Sequence, residues 1–259
     1  MSAVAFEAYG LRVAVDASEE VLELVRRLLP PDSRPCPPDA VQTRFSITRN
    51  QVGTYSINRD GEQLINRLEL DMALEMLDTK LRIYLGRKSP EAIFIHAGAV
   101  AHRGMAIVMP GLSFSGKTSL VAALVRAGAR YYSDEFAVID RDGLVRPYAK
   151  ALSVRDNGWA QTDHTVESLG GLAGEEPAPL RMIVITRYYP HAQWEPVVRS
   201  RGAGAMALLA NAVPARERSE EVMEAVKLAA DGAAVIESDR GEADVVAPLL
   251  LRELERHTA

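Results

Sequence analysis

The chain has 259 residues, 47% apolar and 25% charged, the balance of a soluble globular protein long enough to bury a substantial core. Its formal charge of −5 argues against a nucleic-acid or anionic-membrane partner, and one cysteine, Cys36 between prolines, excludes an internal disulfide. No secretory signal stands out and no apolar run approaches bilayer-spanning length, so a cytoplasmic location is expected.

Residues 1–88 are expected to form a small α+β unit. Phe6–Val15 reads as a strand broken at Gly10, and Ser18–Leu29 as an amphipathic helix with Ser18 in the N-cap position. Pro30–Pro38 carries five prolines in nine residues and is expected to be loop. Thr43–Arg49 and Thr54–Arg59 alternate like paired strands, and Asp60-Gly61 turns the second into Gln63–Arg67. Leu68–Leu85 has helical spacing, with Gly86 as its expected end. No constellation of titratable groups in this stretch suggests a site.

A second domain is expected over 89–259. An apolar strand over Glu91–Ala101 contains His96, and Arg103-Gly104 turns it into a second buried strand, Met105–Met109. Then comes Gly111-Leu112-Ser113-Phe114-Ser115-Gly116-Lys117-Thr118, which fills every fixed position of G-x-x-x-x-G-K-[ST]. Ser119–Arg126 follows as a helix closed by Gly128. Gly111 and Gly116 permit backbone conformations that a Cβ forbids, so that successive N–H groups can turn in around phosphate oxygens, helped by the helix N-terminus. Lys117 supplies a cation for the β- and γ-phosphates and Thr118 a ligand for Mg²⁺. Gly111, Ser113, Phe114, Ser115, Gly116, Lys117, Thr118 and Ser119 are therefore the expected nucleotide-binding residues.

Ala129–Ser133 reads as a strand ending at Asp134-Glu135, and adjacent carboxylates facing that loop suit metal and proton handling at a γ-phosphate. If the strands before the loop are neighbours, His96 stands beside it. Phe136–Asp140 has the look of a Walker B strand, but Asp140 opens the turn Asp140–Gly143 and is expected to cap it. Arg181–Thr186 is a buried strand that ends in threonine where a Walker B aspartate belongs, and no Asn-Lys-x-Asp motif occurs, so a Ras-like GTPase is not expected. Gly170–Pro179 reads as a flexible surface loop suited to a lid. Beyond it strands and helices alternate over Trp194–Ser200, Ala205–Ala212, Ser219–Ala230, Ala233–Glu237 and Ala243–Arg256. Arg199 and Arg201, just before a helix start, are either anion ligands or solvated.

Taken together, His96–Arg155 resembles the catalytic core of the HPr serine kinase/phosphorylase family, whose nucleotide site is related to that of phosphoenolpyruvate carboxykinase. The resemblance lies in His96, the loop Gly111–Thr118 and Asp134-Glu135, spaced fifteen residues from His96 to Gly111 and seventeen from Lys117 to Asp134. It implies an α/β fold with a P-loop nucleotide-binding domain of that type behind the small N-terminal unit, and use of ATP and Mg²⁺. It further implies that Asp134 is the acid–base residue, that His96 holds or tunes it, and that Thr118 and Glu135 serve the metal. The family has two aspartates where this chain has Asp134-Glu135. The chain is similar to the stand-alone members, among them the lasso-peptide kinases, also over Pro147–Arg155, where Lys150 or Arg155 reaches phosphate or substrate. The expected function is an ATP-dependent kinase acting on a serine or threonine hydroxyl of a peptide or small protein. A small-molecule hydroxyl kinase and a nucleotide-binding scaffold without transfer stay open as alternatives, as does homo-oligomer formation.

Overall fold

The computed structural model describes residues 2–111, 115–150, 152–155 and 161–257, and the chain divides into two units, Met1–Glu91 and Ala92–Ala259. The architecture is mixed α/β. No described helix is long and apolar enough to cross a membrane.

In the first unit, Tyr9 and Gly10 take left-handed conformations (φ 52° and 76°), the requirement of a two-residue hairpin whose twist matches its strands. The break expected at Gly10 is therefore a hairpin between β1 (Ser2–Ala8) and β2 (Leu11–Ala17). Helix α1 (Glu19–Arg26) follows Ser18, which has extended N-cap geometry but makes no side-chain cap, and it stops short of the expected Leu29. The proline-rich stretch is not all loop. Arg34–Pro35 forms a short edge strand, β3, on β1, a place where a proline's missing N–H is harmless, and Cys36 N–H donates to Ala5 O at 3.1 Å. With β4 (Thr43–Arg49), β5 (Tyr55–Arg59) and β6 (Glu62–Leu68) the sheet order is β3-β1-β2-β4-β5-β6. Helix α2 (Leu70–Lys88) packs on this sheet through Ala73, Leu77, Leu81 and Leu85, and the Tyr84 ring meets Phe45 edge-on at 5.9 Å. Gly86 does not end α2. It lies buried within it, and the helix runs to Lys88, where Pro90 disfavours helical geometry at Ser89.

The second unit is an eight-stranded sheet between two pairs of helices. Its strands are β7 (Ala92–His102), β8 (Met105–Pro110), β9 (Arg130–Ser133), β10 (Phe136–Asp140), β11 (Leu144–Arg146), β14 (Ala178–Tyr188), β15 (Val197–Arg199) and β16 (Ala234–Arg240), ordered β11-β10-β7-β8-β14-β16-β15 with β9 also on β7. Between them β12 (Leu152–Arg155) and β13 (Gln161–His164) pair separately. One face carries α3 (Lys117–Arg126) and α6 (Ala243–Arg256) through Leu120, Val121, Leu124, Val246, Leu250 and Leu254. The other carries α4 (Arg201–Ala210) and α5 (Ser219–Ala230) through Leu208, Val222 and Val226. Burying apolar surface on both faces explains the apolar runs Ala106–Met109 in β8, Met182–Ile185 in β14 and Ala234–Ile236 in β16, and these three strands are parallel.

The loop expected to be a lid is bound down. Tyr131 N–H donates to Leu172 O (2.9 Å), Gly174 N–H donates to Tyr131 O (2.8 Å), and the Tyr132 hydroxyl donates to Glu176 O. Two of its glycines serve close approach: a Cβ at Gly171 would lie 2.0 Å from Val125 Cγ1, and one at Gly174 would lie 2.1 Å from Tyr132 Cε1. Gly174→Ala should therefore destabilise the chain by about 1–3 kcal/mol, the usual cost of overpacking. Urea unfolding checks this, and an unchanged midpoint would mean that the segment moves freely.

Candidate functional site

The C-terminal ends of β8, β14 and β16 lie side by side, where helix N-termini and strand ends of parallel sheets bring ligand-binding groups together. Out of β8 the chain passes through Gly111, whose N–H donates to His96 O at 3.2 Å, and enters α3 at Gly116. Gly116 sits at φ +83°, and a Cβ there would meet Arg240 Nη2 at 2.5 Å, so glycine is required twice over. Gly98 on β7 plays a companion part: a Cβ would lie 2.7 Å from Val121 Cγ2, and its absence lets the first turns of α3 settle on the strand. Lys117 Nζ donates to Gly111 O at 2.7 Å, spanning the loop. Burial lowers the Lys117 pKa, with the charge of Asp134 opposing. Ser119 is exposed in the first turn of α3, while Ser113 and Phe114 lie outside the described residues.

Asp134 is held from two sides. The Thr118 hydroxyl donates to Oδ2 at 3.0 Å, and the Tyr131 hydroxyl donates to Oδ1 at 2.9 Å. Burial raises the Asp134 pKa above its ordinary value; the bonds from Tyr131 and Thr118, and the charge of Lys117, oppose the rise without reversing it. Tyr131 is wholly buried and its own pKa is pushed up, first by burial and then by Asp134, so it remains a neutral donor. Lys117, Thr118, Tyr131 and Asp134 thus make one connected cluster under the first turn of α3.

The other expected residues fall as follows. His96 pairs across the sheet with Phe136 and its ring lies 4.9 Å from that of Phe136. Its pKa is lowered, by partial burial first and by Lys117 second, although the residue as a whole is exposed. His96 is near Lys117, but the described hydrogen bonds of the Asp134 carboxylate go to Thr118 and Tyr131; the expected His96–Asp134 contact is not among them. In the register β10 begins opposite His96, which brings its ring beside that of Phe136. Glu135 has its backbone fixed, N–H to Ser133 Oγ at 3.1 Å and O accepting from Ala97 N–H at 3.1 Å, which sets it next to Asp134 at the bend between β9 and β10. Asp140 caps its turn, accepting from the N–H groups of Asp142 and Leu144 and from Arg146 Nε, at the end of β10 away from the loop. Arg199 and Arg201 pair with Glu237 and Asp231 on the surface. The Arg155 side chain lies outside the described residues.

Two residues were not anticipated. Thr186, on β14, and Arg240, the last residue of β16, line a narrow cleft together with Met109, Ser115, Gly116 and Lys117. Arg240 is 2% exposed, and its Nη2 donates to Gly116 O at 2.6 Å. Arg240 follows Glu237, Ser238 and Asp239 in a polar strand end, so nothing in the local sequence marked it.

Among the described residues no group of three or more histidine, cysteine or acidic side chains converges on a metal position. A cation here would take its protein oxygens from Thr118 and Glu135, hard oxygens that fit Mg²⁺, which keeps most of its ligands as water and substrate phosphate.

No protein-family model matches the chain, and no curated protein matches it. Among solved structures it is similar to the HPr(Ser) kinase/phosphatase from Coxiella burnetii, at 17% identity over 64% of this chain and 95% of that one, with a TM-score of 0.34.

The raised pKa of Asp134 has a consequence for stability. An aspartate that binds its proton more tightly when folded favours the fold at low pH, and that contribution is lost as pH rises through the window above 3.8. Asp134→Asn removes the ionisation, so its stability relative to the native chain should improve between about pH 4 and about pH 7. Paired urea midpoints at the two pH values measure this; a difference independent of pH would place Asp134 at its ordinary value.

Proposed function

We propose that the chain is an ATP-dependent kinase that transfers the γ-phosphoryl group to a hydroxyl, with a serine or threonine of a peptide or small protein as acceptor. The observation that carries it is the cluster under α3: a Gly-Lys-Thr helix start whose threonine hydroxyl is bonded to a half-buried carboxylate, itself bonded to a buried tyrosine. A scaffold that only bound nucleotide would have no use for a carboxylate kept partly out of water with its pKa raised. Similarity to a kinase/phosphatase in overall course is compatible with this function but too loose to carry it.

Gly116 starts α3 in a left-handed conformation, and Lys117 and Thr118 follow at the first two helical positions, where N–H groups and the helix dipole favour phosphate. Lys117, now on Gly111 O, would exchange that carbonyl for phosphate oxygens. A bound Mg²⁺ would offset charge on the transferring group. Asp134 accepts the proton of the acceptor hydroxyl as its oxygen bonds to the γ-phosphorus and the bond to the β-phosphate oxygen breaks, releasing ADP. Each carboxylate oxygen keeps a lone pair beside the bonds from Thr118 and Tyr131, so the proton has somewhere to go. The raised pKa makes Asp134 a better proton acceptor than an exposed aspartate and sets the acid limb of the rate above the ordinary carboxylate range.

The test is phosphoryl transfer from labelled ATP by the native chain, Lys117→Ala and Asp134→Asn to a panel of serine- and threonine-containing peptides, small alcohols and free serine. The expected outcome is labelling of peptides by the native chain and none by Lys117→Ala. Asp134→Asn should bind Mg-ATP and transfer roughly 10² to 10⁴ times more slowly, the usual share of a general base. Full activity in Lys117→Ala would contradict the function; transfer to small alcohols in preference to peptides would change the acceptor and leave the kinase chemistry.

A further inference from the structure

Arg240 is the most deeply buried charge at the site. Its guanidinium has Nη2 on Gly116 O (2.6 Å) and Nη1 on Gly241 O (2.9 Å), makes no ion pair among the described residues, and stands 5.5 Å from the Tyr188 ring centroid. Its Nε has no hydrogen-bond partner among the described residues, and neither do Ser115 Oγ and Thr186 Oγ1, which line the same cleft. Buried arginines are ordinarily matched by a carboxylate, and buried polar atoms are ordinarily satisfied. The Glu242 carboxylate attracts this guanidinium without forming an ion pair with it, so its placement calls for a further reason.

Its contact with Gly116 gives the reason. The peptide joining Gly116 to Lys117 is planar and trans, so its C=O and N–H point in opposite directions. Arg240 holds the carbonyl on the inner side, where it also accepts from Leu120 N–H at 3.2 Å as the first bond of α3. The Lys117 N–H is thereby turned the other way, out of the helix start. Gly116 sits at φ +83° without a Cβ, and its carbonyl is held from two directions, by Leu120 N–H and by the guanidinium.

We propose that Arg240 is a positioning residue: by gripping the Gly116 carbonyl it presents the Lys117 N–H, and with it the helix start, to the phosphates of the bound nucleotide. The inference rests on the phosphoryl-transfer function above.

The experiment compares the native full-length chain with Arg240→Met, Arg240→Lys and Lys117→Ala by calorimetric titration with Mg-ATP and by thermal unfolding without ligand. Arg240→Met keeps the volume and removes the donors. It should weaken Mg-ATP binding roughly ten- to a hundred-fold, the worth of a lost charge-assisted hydrogen bond, while the melting temperature of the free chain holds or rises, because replacing a buried unpaired charge by an apolar side chain relieves desolvation. Arg240→Lys, still a cation and donor, should recover part of the affinity. A melting temperature that falls in step with affinity would overturn the inference and make Arg240 a structural residue. Native-like affinity in Arg240→Met, with binding lost in Lys117→Ala, would overturn it and leave the nucleotide function standing. Absence of Mg-ATP binding by the native chain would remove both.

Discussion

Taking the Asp134 carboxylate partly out of water beneath the first turn of α3 costs solvation, and the hydroxyls of Thr118 and Tyr131 are what offset it. Much of the surrounding geometry follows from keeping those two donors in place. Tyr131 must sit in a strand whose side chain points under the helix, which fixes β9 against β7. Thr118 must sit in the first turn of a helix that lies close on the sheet, which requires the missing side chain at Gly98. The segment Leu172–Gly174 then clasps Tyr131 from the far side through two backbone hydrogen bonds, so a loop that looked free supports the site.

Opposite charges reach the loop from opposite directions. Asp134 comes from the β7–β9 side of the sheet, and Arg240 comes from β16, two strands beyond β8 on the other. The burial that lowers the pKa of Lys117 does the same at Arg240. Two partly desolvated cations at one helix start make an environment in which an anionic ligand is worth more than it would be at the surface, because each cation recovers interactions lost on leaving water.

Much of the local structure was legible because short-range rules decide it. Arg103-Gly104 and Asp60-Gly61 make the hairpins that their turn chemistry requires, and the apolar periods of α5 and α6 give their extents closely. The helix that follows Gly116 was readable from its apolar spacing, and Asp140 was readable as a turn cap from Asp140–Gly143 alone. What stayed hidden depends on contacts distant in sequence. Gly86 gave the signal of a helix end, yet Pro90 sets the boundary. The partners of Asp134 could not be assigned from spacing: Tyr131 was one more aromatic in a strand, and His96, nearer by resemblance, is turned toward Phe136. Arg240 lies 124 residues from the carbonyl it holds, and no pattern near either residue links them.

The central claim is that nucleotide binds at the start of α3, over Thr118 and Asp134. Hydrogen–deuterium exchange of the full chain, with and without Mg-ATP, reads this directly, since backbone N–H groups that bind phosphate exchange slowly. Protection is predicted over 111–120 and 131–135, with the first residues 2–68 unchanged. Protection absent from 111–120, or confined to another part of the chain, would contradict it.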